Sequence, residues 1–333
     1  CLVKVGLSQE DARTTADNLI FANLRGVDSH GVIRLKIYAD RLRAGGIDCR
    51  ARLGVVSQGA ADALVDANNN MGQVAGVFGM KVALERAVES GFGIVAVRNS
   101  NHFGAAAYYA MMALEKGMIG FAATNSGPSM APSGGRQARL GNNPLAIAVP
   151  AGKQLPIVLD MATGAVAWGK IFMAQQEKKK IPLSWALDET GAPTDDPDKA
   201  AHKGLIQPTG GHKGYGLSLI VDILTGVLSG SAFSTHLKSL YKDLQRPSGC
   251  AHLFAALRID RFMPTSEFVS RVDEIIDLMW KCPPAPSVER IYVPGEIEQE
   301  IHHERLAQGI PINPILKEEL AALAKELEVH APF

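Results

Sequence analysis

His30, Arg34 and Tyr38 stand four residues apart in Asp28-Ser29-His30-Gly31-Val32-Ile33-Arg34-Leu35-Lys36-Ile37-Tyr38. On a helix, that spacing stacks side chains on one face. The face would carry an imidazole able to give or take a proton near neutral pH. It would also carry a phenol and a guanidinium that grips a carboxylate through two parallel hydrogen bonds. Such a set suits a small 2-hydroxy or 2-oxo acid. The same residues would equally serve as a satisfied surface histidine, an exposed arginine and a half-buried tyrosine, so the stretch alone leaves both readings open.

Three more places could do chemistry. His102, in Asn99-Ser100-Asn101-His102-Phe103-Gly104, falls between an apolar run and a helical segment, where functional side chains often sit; a capping or turn histidine is the other reading. Asp160 closes an apolar run and could accept hydrogen bonds from ribose hydroxyls, or cap the next helix. Gly210-Gly211-His212-Lys213-Gly214 feeds an apolar helical segment, so its backbone N–H groups and Lys213 could seat a pyrophosphate. The spacing is not that of a P-loop, and no GxGxxG occurs, so an ordinary Rossmann fingerprint is absent.

The elements that must position these residues follow from the pattern. Ser8 caps a helix running to Leu24, and a second helix is expected over 29–43, ended by Gly45-Gly46. Short strands are expected over 51–67, helices over 74–89 and 105–116, and buried strands over 91–97, 118–125, 145–149 and 156–159. Residues 126–144 read as a long irregular segment, the kind that often carries function. Residues 173–209 read as polar and turn-rich. The glycine turn opens a helix to Leu228, a basic loop spans 233–248, and a strand is expected over 250–259. A helix from Pro264 has Phe268, Val272, Ile275, Ile276 and Met279 inward, a short strand covers 291–293, and helices over 298–308 and 316–327 close the chain.

Composition narrows the classes. With 333 residues and 47% hydrophobic content, the chain can build a large core. Lys plus Arg and Asp plus Glu are equal at 34 each, which points to neither nucleic acid nor a membrane surface. The cysteines, Cys1, Cys49, Cys250 and Cys282, have no zinc spacing and are expected to be free thiols of a cytoplasmic protein. No metal site is expected, and no apolar run reaches spanning length. No signal peptide is read. The chain opens at Cys1 inside an expected helix, so a short preceding piece is expected.

Several motifs occur together in one family. Arg25-Gly26-Val27-Asp28-Ser29-His30-Gly31 with Arg34 and Tyr38, Asn99 to Gly104, and Gly141-Asn142-Asn143-Pro144 are followed by Leu159-Asp160-Met161-Ala162 and Gly210 to Gly214. Val293-Pro294-Gly295-Glu296 and Gly309-Ile310-Pro311 complete the series. In this order, over nearly the whole chain, they resemble the malate/L-lactate dehydrogenase type 2 family. That family includes ureidoglycolate, sulfolactate and 2,3-diketo-L-gulonate oxidoreductases and cyclic imino-acid reductases.

The resemblance implies an α/β fold with a non-Rossmann mixed-sheet core at 56–264 that binds NAD(P). It implies a helical framework from both chain ends, 1–55 with 265–333, and a homodimer. It implies that His30 is the proton donor and acceptor, that Arg34 and Tyr38 hold the substrate, and that His102 lies in the same pocket and does acid/base work in some members. Ser126, Asp160, Met161, Ala162, His212, Lys213, Gly214, Gly295 and Glu296 would line the cofactor site. Asp160 near the ribose would favour NAD over NADP. One departure is Asn142, where the family usually has Thr.

The expected function is NAD(P)-dependent interconversion of a small 2-hydroxy acid and its 2-oxo acid. A reductase of cyclic imines such as piperideine-2-carboxylate is the alternative, and a non-catalytic dinucleotide-binding protein a third. Zinc and serine hydrolases are disfavoured, because HExxH and GxSxG are absent.

Overall fold

The computed structural model describes residues 1–331. Helix α1 (Gln9–Leu24) starts where expected: the Ser8 hydroxyl accepts the Asp11 N–H at 3.0 Å. The expected helix over 29–43 is not one helix. Asp28–His30 and Val32–Arg34 are separate 3-10 turns, and α2 (Leu35–Ala44) begins only at Leu35. The cause is Asn23, whose amide oxygen takes the Val32 N–H at 2.8 Å and whose amide nitrogen donates to Asp28 at 2.6 Å. A Cβ at Gly31 would lie 2.2 Å from that amide oxygen.

The main sheet contains β1 (Gly54–Gln58), β2 (Asp62–Asp66), β3 (Phe92–Ser100), β4 (Met118–Thr124), β5 (Leu145–Val149) and β6 (Ile157–Met161). Helix α3 (Gly72–Ser90) precedes β3, and α4 (Ala106–Met111) follows it, shorter than expected and continued by a 3-10 turn at Leu114–Lys116. A small lobe follows, built from α5 (Trp168–Gln176), α6 (Pro197–Lys203) and the two-residue strands β7 (Ala186–Leu187), β8 (Pro193–Thr194) and β9 (Leu205–Ile206). These strands lie inside the segment read as polar turns, and Met130, Ile171, Ile181 and Ile206 give the lobe its own core. Helix α7 (His212–Asp222) runs into a π-helical turn, Ile223–Val227. Strand β10 (Cys250–Arg258) then enters the middle of the sheet.

The sheet order is β1-β2-β3-β10-β4-β5-β6. Only β2 and β3 pair in parallel; the other neighbours are antiparallel. This mixed order is not a Rossmann sheet, which is mostly parallel. Strands β3 and β10, with α3 and α4, form the principal core around Val95, Val97, Tyr109 and Phe254. The chain closes with α8 (Thr265–Trp280), α9 (Glu296–Gln308) and α10 (Pro314–Glu326). Residues 291–293, expected as a strand, have no regular structure. Of the residues assigned to the inner face of α8, Val272 and Ile276 are buried, but Ile275 and Met279 are exposed. Helix α9 is tied to the N-terminal segment by Arg305, which donates to both Asp28 oxygens, at 2.6 and 2.9 Å, and to the Asn23 carbonyl.

Candidate active site

The His30, Arg34, Tyr38 and His102 side chains meet. The two imidazoles stack, with centroids 5.4 Å apart and planes 18° from parallel. The Tyr38 hydroxyl lies 2.6 Å from His102 Nδ1, and His30 Nδ1 lies 2.9 Å from the Ser29 hydroxyl. Arg34 Nε donates to the Ser29 carbonyl at 2.6 Å. The motif therefore works through two 3-10 turns and one helical turn, with Asn23, Asp28 and Arg305 holding the first turn in place. Sequence reading missed Asn23 and Arg305; Asp28 lies in the motif, but of its partners Arg305 is distant in sequence and Asn23 sits on the preceding helix.

The electrostatics favour neutral rings. Burial, then the Arg34 charge, pushes His30 down to about 4. Burial, then His30 and Arg34, holds His102 well below the ordinary histidine value. Burial raises the Tyr38 phenol to about 12, so it stays protonated. Arg34 itself is lowered by burial, from a value high enough that it keeps its charge.

A third histidine was not singled out from the sequence. His252 on β10 is fully buried, with Nδ1 2.7 Å from the Thr124 hydroxyl and Nε2 2.7 Å from the Ser100 hydroxyl. Its ring stacks on Phe103 at 4.6 Å. It thus braces the end of β3, which leads to His102, against the end of β4, which leads to Ser126. The only sequence signal is a ring nitrogen pair inside an otherwise apolar strand, which must find partners when buried.

The remaining candidates gather around Asn142. Ser126 Oγ donates to the Asn142 side chain at 2.9 Å, and the Asn142 carbonyl accepts the Thr163 N–H at 2.8 Å. The Thr163 carbonyl accepts the Thr209 N–H at 2.9 Å. This chain of contacts joins Ser126, the Asp160-Met161-Ala162 stretch and the glycine turn. Both Gly210 and Gly211 have positive φ, and a Cβ at either would meet no atom within 4 Å. Among the described residues no side chain caps α7, and His212 and Lys213 are exposed in its first turn, with Gly214 buried behind them. Among the described residues the Thr163 hydroxyl, which is buried, has no hydrogen-bond partner.

Asp160 lies within β6 rather than beyond it, and its carboxylate accepts the Ala107 N–H at 2.9 Å. The residue stays exposed, yet the protein packed around its carboxyl pushes it up to about 6 against the opposing pull of Ala107 and Arg25. Gly295 packs on β6, where the Pro294 carbonyl accepts the Val158 N–H at 2.9 Å. Glu296 is buried. Its carboxylate accepts from Trp280 Nε1 at 3.1 Å and the Val293 N–H at 3.0 Å, and it pairs with Arg290. That carboxylate braces the turn, leaving the backbone of 295–296 as what a ligand could meet.

Among the described residues, no group of three or more His, Cys, Asp and Glu side chains is placed to hold a metal ion. Nor is any helix long and apolar enough to cross a membrane. The four cysteines are free.

The fold and site together define a mixed-sheet α/β protein that gathers two stacked imidazoles beside a guanidinium. Comparison with known proteins names the family. The malate/L-lactate dehydrogenase family model matches residues 1–321. A malate dehydrogenase of Pyrococcus abyssi is 44% identical over 335 residues, covering 98% of this chain and 91% of its own. The structure of sulfolactate dehydrogenase from Methanocaldococcus jannaschii superposes with a TM-score of 0.93 at 39% identity, covering 99% of this chain and 94% of that one. A delta1-piperideine-2-carboxylate reductase from Pseudomonas syringae pv. tomato superposes with a TM-score of 0.86 at 30% identity, covering 97% and 95%. The chain belongs to the malate/L-lactate dehydrogenase family and is an NAD(P)-dependent dehydrogenase acting on CH–OH groups.

Proposed function

We propose that the protein interconverts a small 2-hydroxy acid, malate- or lactate-like, and its 2-oxo acid, with a histidine as acid/base. The observation that carries this is the stacked His30–His102 pair beside Arg34. The residues present fit a nicotinamide dinucleotide. The uncapped α7 with Lys213 and His212 offers N–H groups and charge for a pyrophosphate, and Ser126 and the unpartnered Thr163 hydroxyl offer polar groups beside the apolar Met161 and Ala162 side chains. Asp160 is the group to accept ribose hydroxyls, which favours NAD over NADP.

The bound nicotinamide supplies the hydride acceptor or donor. Arg34 holds the substrate carboxylate, which fixes the direction in which C2 is presented. In oxidation a neutral imidazole takes the hydroxyl proton, and the depressed values of His30 and His102 keep that form available. A bound carboxylate partly cancels the Arg34 charge that depresses both rings, so substrate binding itself raises their proton affinity. That helps to hold the proton on the ring, as imidazolium, for return to the alkoxide in reduction. The Tyr38 hydroxyl can donate to His102 Nδ1 or accept from it, so it follows the ring through both states.

The likeness to the piperideine-carboxylate reductase supports a second reading, in which the acceptor is a cyclic imine carboxylate bound by the same clamp. Apolar side chains exposed along 217–228, including Ile220, Ile223 and Val227, support burial against a second copy. Free thiols and balanced charge support a cytoplasmic home. The test is a spectrophotometric panel of 2-oxo acids and cyclic imines with NADH and NADPH in parallel. Turnover of a 2-oxo acid supports the first reading, turnover of imines alone the second, and no cofactor oxidation with any of them overturns both.

A further inference from the structure

Arg41 is fully buried on α2, yet among the described residues no carboxylate side chain pairs with it. Its terminal nitrogens donate instead to the carbonyls of Asp243 at 2.9 Å and Arg246 at 2.7 Å, and to the Ser248 hydroxyl at 2.9 Å. Longer contacts reach the carbonyls of Ser239, Leu240 and Gly46 at 3.3–3.4 Å. A buried cation that touches only neutral groups, with the Asp243 charge acting on it from beyond direct contact, is a costly way to gain stability. What it secures is the path of residues 239–248, a segment without helix or strand. The Ser248 N–H adds a long contact to the Asn101 side chain, beside His102.

The pinned segment delivers one side chain to the site. The Tyr241 ring lies against Arg34, with its centroid 5.6 Å from the guanidinium carbon. Arg34 thus has two neighbours, the Tyr241 ring beside its guanidinium carbon and the Ser29 carbonyl on Nε. The two terminal nitrogens are left as the edge that can take two carboxylate oxygens at once.

We infer that Tyr241 is a substrate-positioning residue: its ring, held in place by Arg41 through the 239–248 segment, fixes the plane of the Arg34 guanidinium so that a carboxylate is bound end-on. This rests on the reading of Arg34 as the carboxylate clamp. Stacking of a cation on an aromatic ring needs the ring and not the hydroxyl.

The experiment is calorimetric titration of oxamate, a non-reacting 2-oxo acid analogue, into the NADH-saturated protein, beside steady-state kinetics. Tyr241→Ala weakens oxamate binding about five-fold and raises substrate KM to match with little change in kcat, and Tyr241→Phe restores both. NADH affinity stays unchanged throughout. Arg41→Met gives the same pattern if it folds; Tyr241, being exposed, carries the test if it does not. Wild-type oxamate affinity in Tyr241→Ala, with binding lost in Arg34→Leu, overturns the inference and leaves the clamp standing. Unchanged binding in Arg34→Leu, or no oxamate uptake by the wild type, overturns the clamp and the inference with it.

Discussion

The Tyr38 hydroxyl sits 2.6 Å from His102 Nδ1, and of the two only the hydroxyl can rotate between donating and accepting. It is therefore the group that lets the ring carry its proton on either nitrogen. Tyr38→Phe leaves a ring nitrogen facing a methine in a buried place. The expected outcome is a fall in kcat of about 100-fold, within the range of acid/base assistance, with the dissociation constant for NADH unchanged in a fluorescence titration. Wild-type kcat in the variant would remove the hydroxyl from the proton path.

The pH profile of the free enzyme should reflect the neutral rings. With His30 lowered to about 4 and His102 lower than usual, the base needed for oxidation stays available well below the ordinary histidine range. At saturating cofactor, where the titration of Asp160 at about 6 does not enter through cofactor binding, we expect kcat/KM for hydroxy-acid oxidation to hold level from pH 8 to about pH 5 and to fall only below that. A limb centred at about 6.5, the unperturbed histidine value, would contradict the burial and Arg34 effects.

Much of this site could be read from residue order, because its four chemical side chains sit in two short motifs. What could not be read was how they are held. Periodicity predicts a helix from Ser29, but Asn23 captures the Val32 N–H from nine residues away and forces 3-10 turns instead. Glu296 looks like a ligand-facing acid until Arg290 and Trp280 claim its carboxylate. His252 looks like one residue of an apolar strand, and its work depends on Ser100 and Thr124, more than a hundred residues away. The two-residue strands of the small lobe are too short for any alternation to show. The first three outcomes were decided by side-chain contacts outside the local periodic pattern, and the last by elements too short to leave one.

Arg34→Lys tests the clamp. A lysine supplies charge but neither the two-pronged edge nor the Nε contact to Ser29. Losing one charge-assisted hydrogen bond corresponds to roughly a 10- to 100-fold rise in KM for the carboxylate substrate. The kcat should change less, since the acid/base pair remains. Equal KM values in wild type and variant would place carboxylate recognition elsewhere.

Arg305→Met tests whether the C-terminal helix serves the site. Burial pulls the Asp28 carboxyl upward, but the Arg305 and Asn23 hydrogen bonds outweigh it and hold Asp28 below its usual value. Half of the Asp28 side chain is open to solvent, so the ion pair contributes modestly to stability, about 1 kcal/mol or less. Its larger role is to hold the turn ending at His30. Expected is a small drop in Tm beside a fall in kcat of at least several-fold. A large Tm loss with proportionate activity loss would make Arg305 a plain stability residue.

Asp160→Asn should separate stability from cofactor binding. The Asp160 carboxyl is raised to about 6, so the folded state binds its proton more tightly than the unfolded chain, whose value is about 3.9. Its contribution to stability is then full below about 3.9 and is lost as pH rises through about 6, leaving the ionised group a liability at neutral pH. Asparagine keeps an oxygen for the Ala107 N–H and removes the charge. The variant should therefore melt higher than the wild type at pH 8 and no higher at pH 4, and the gain should be small because Asp160 is exposed. If Asp160 accepts ribose hydroxyls, the same variant binds NADH more weakly and loses its preference for NADH over NADPH, since the charge that repels a 2′-phosphate is gone. A higher Tm with unchanged NADH affinity would remove Asp160 from the cofactor site while keeping its electrostatics, and no change in Tm at pH 8 would refute the raised carboxyl value.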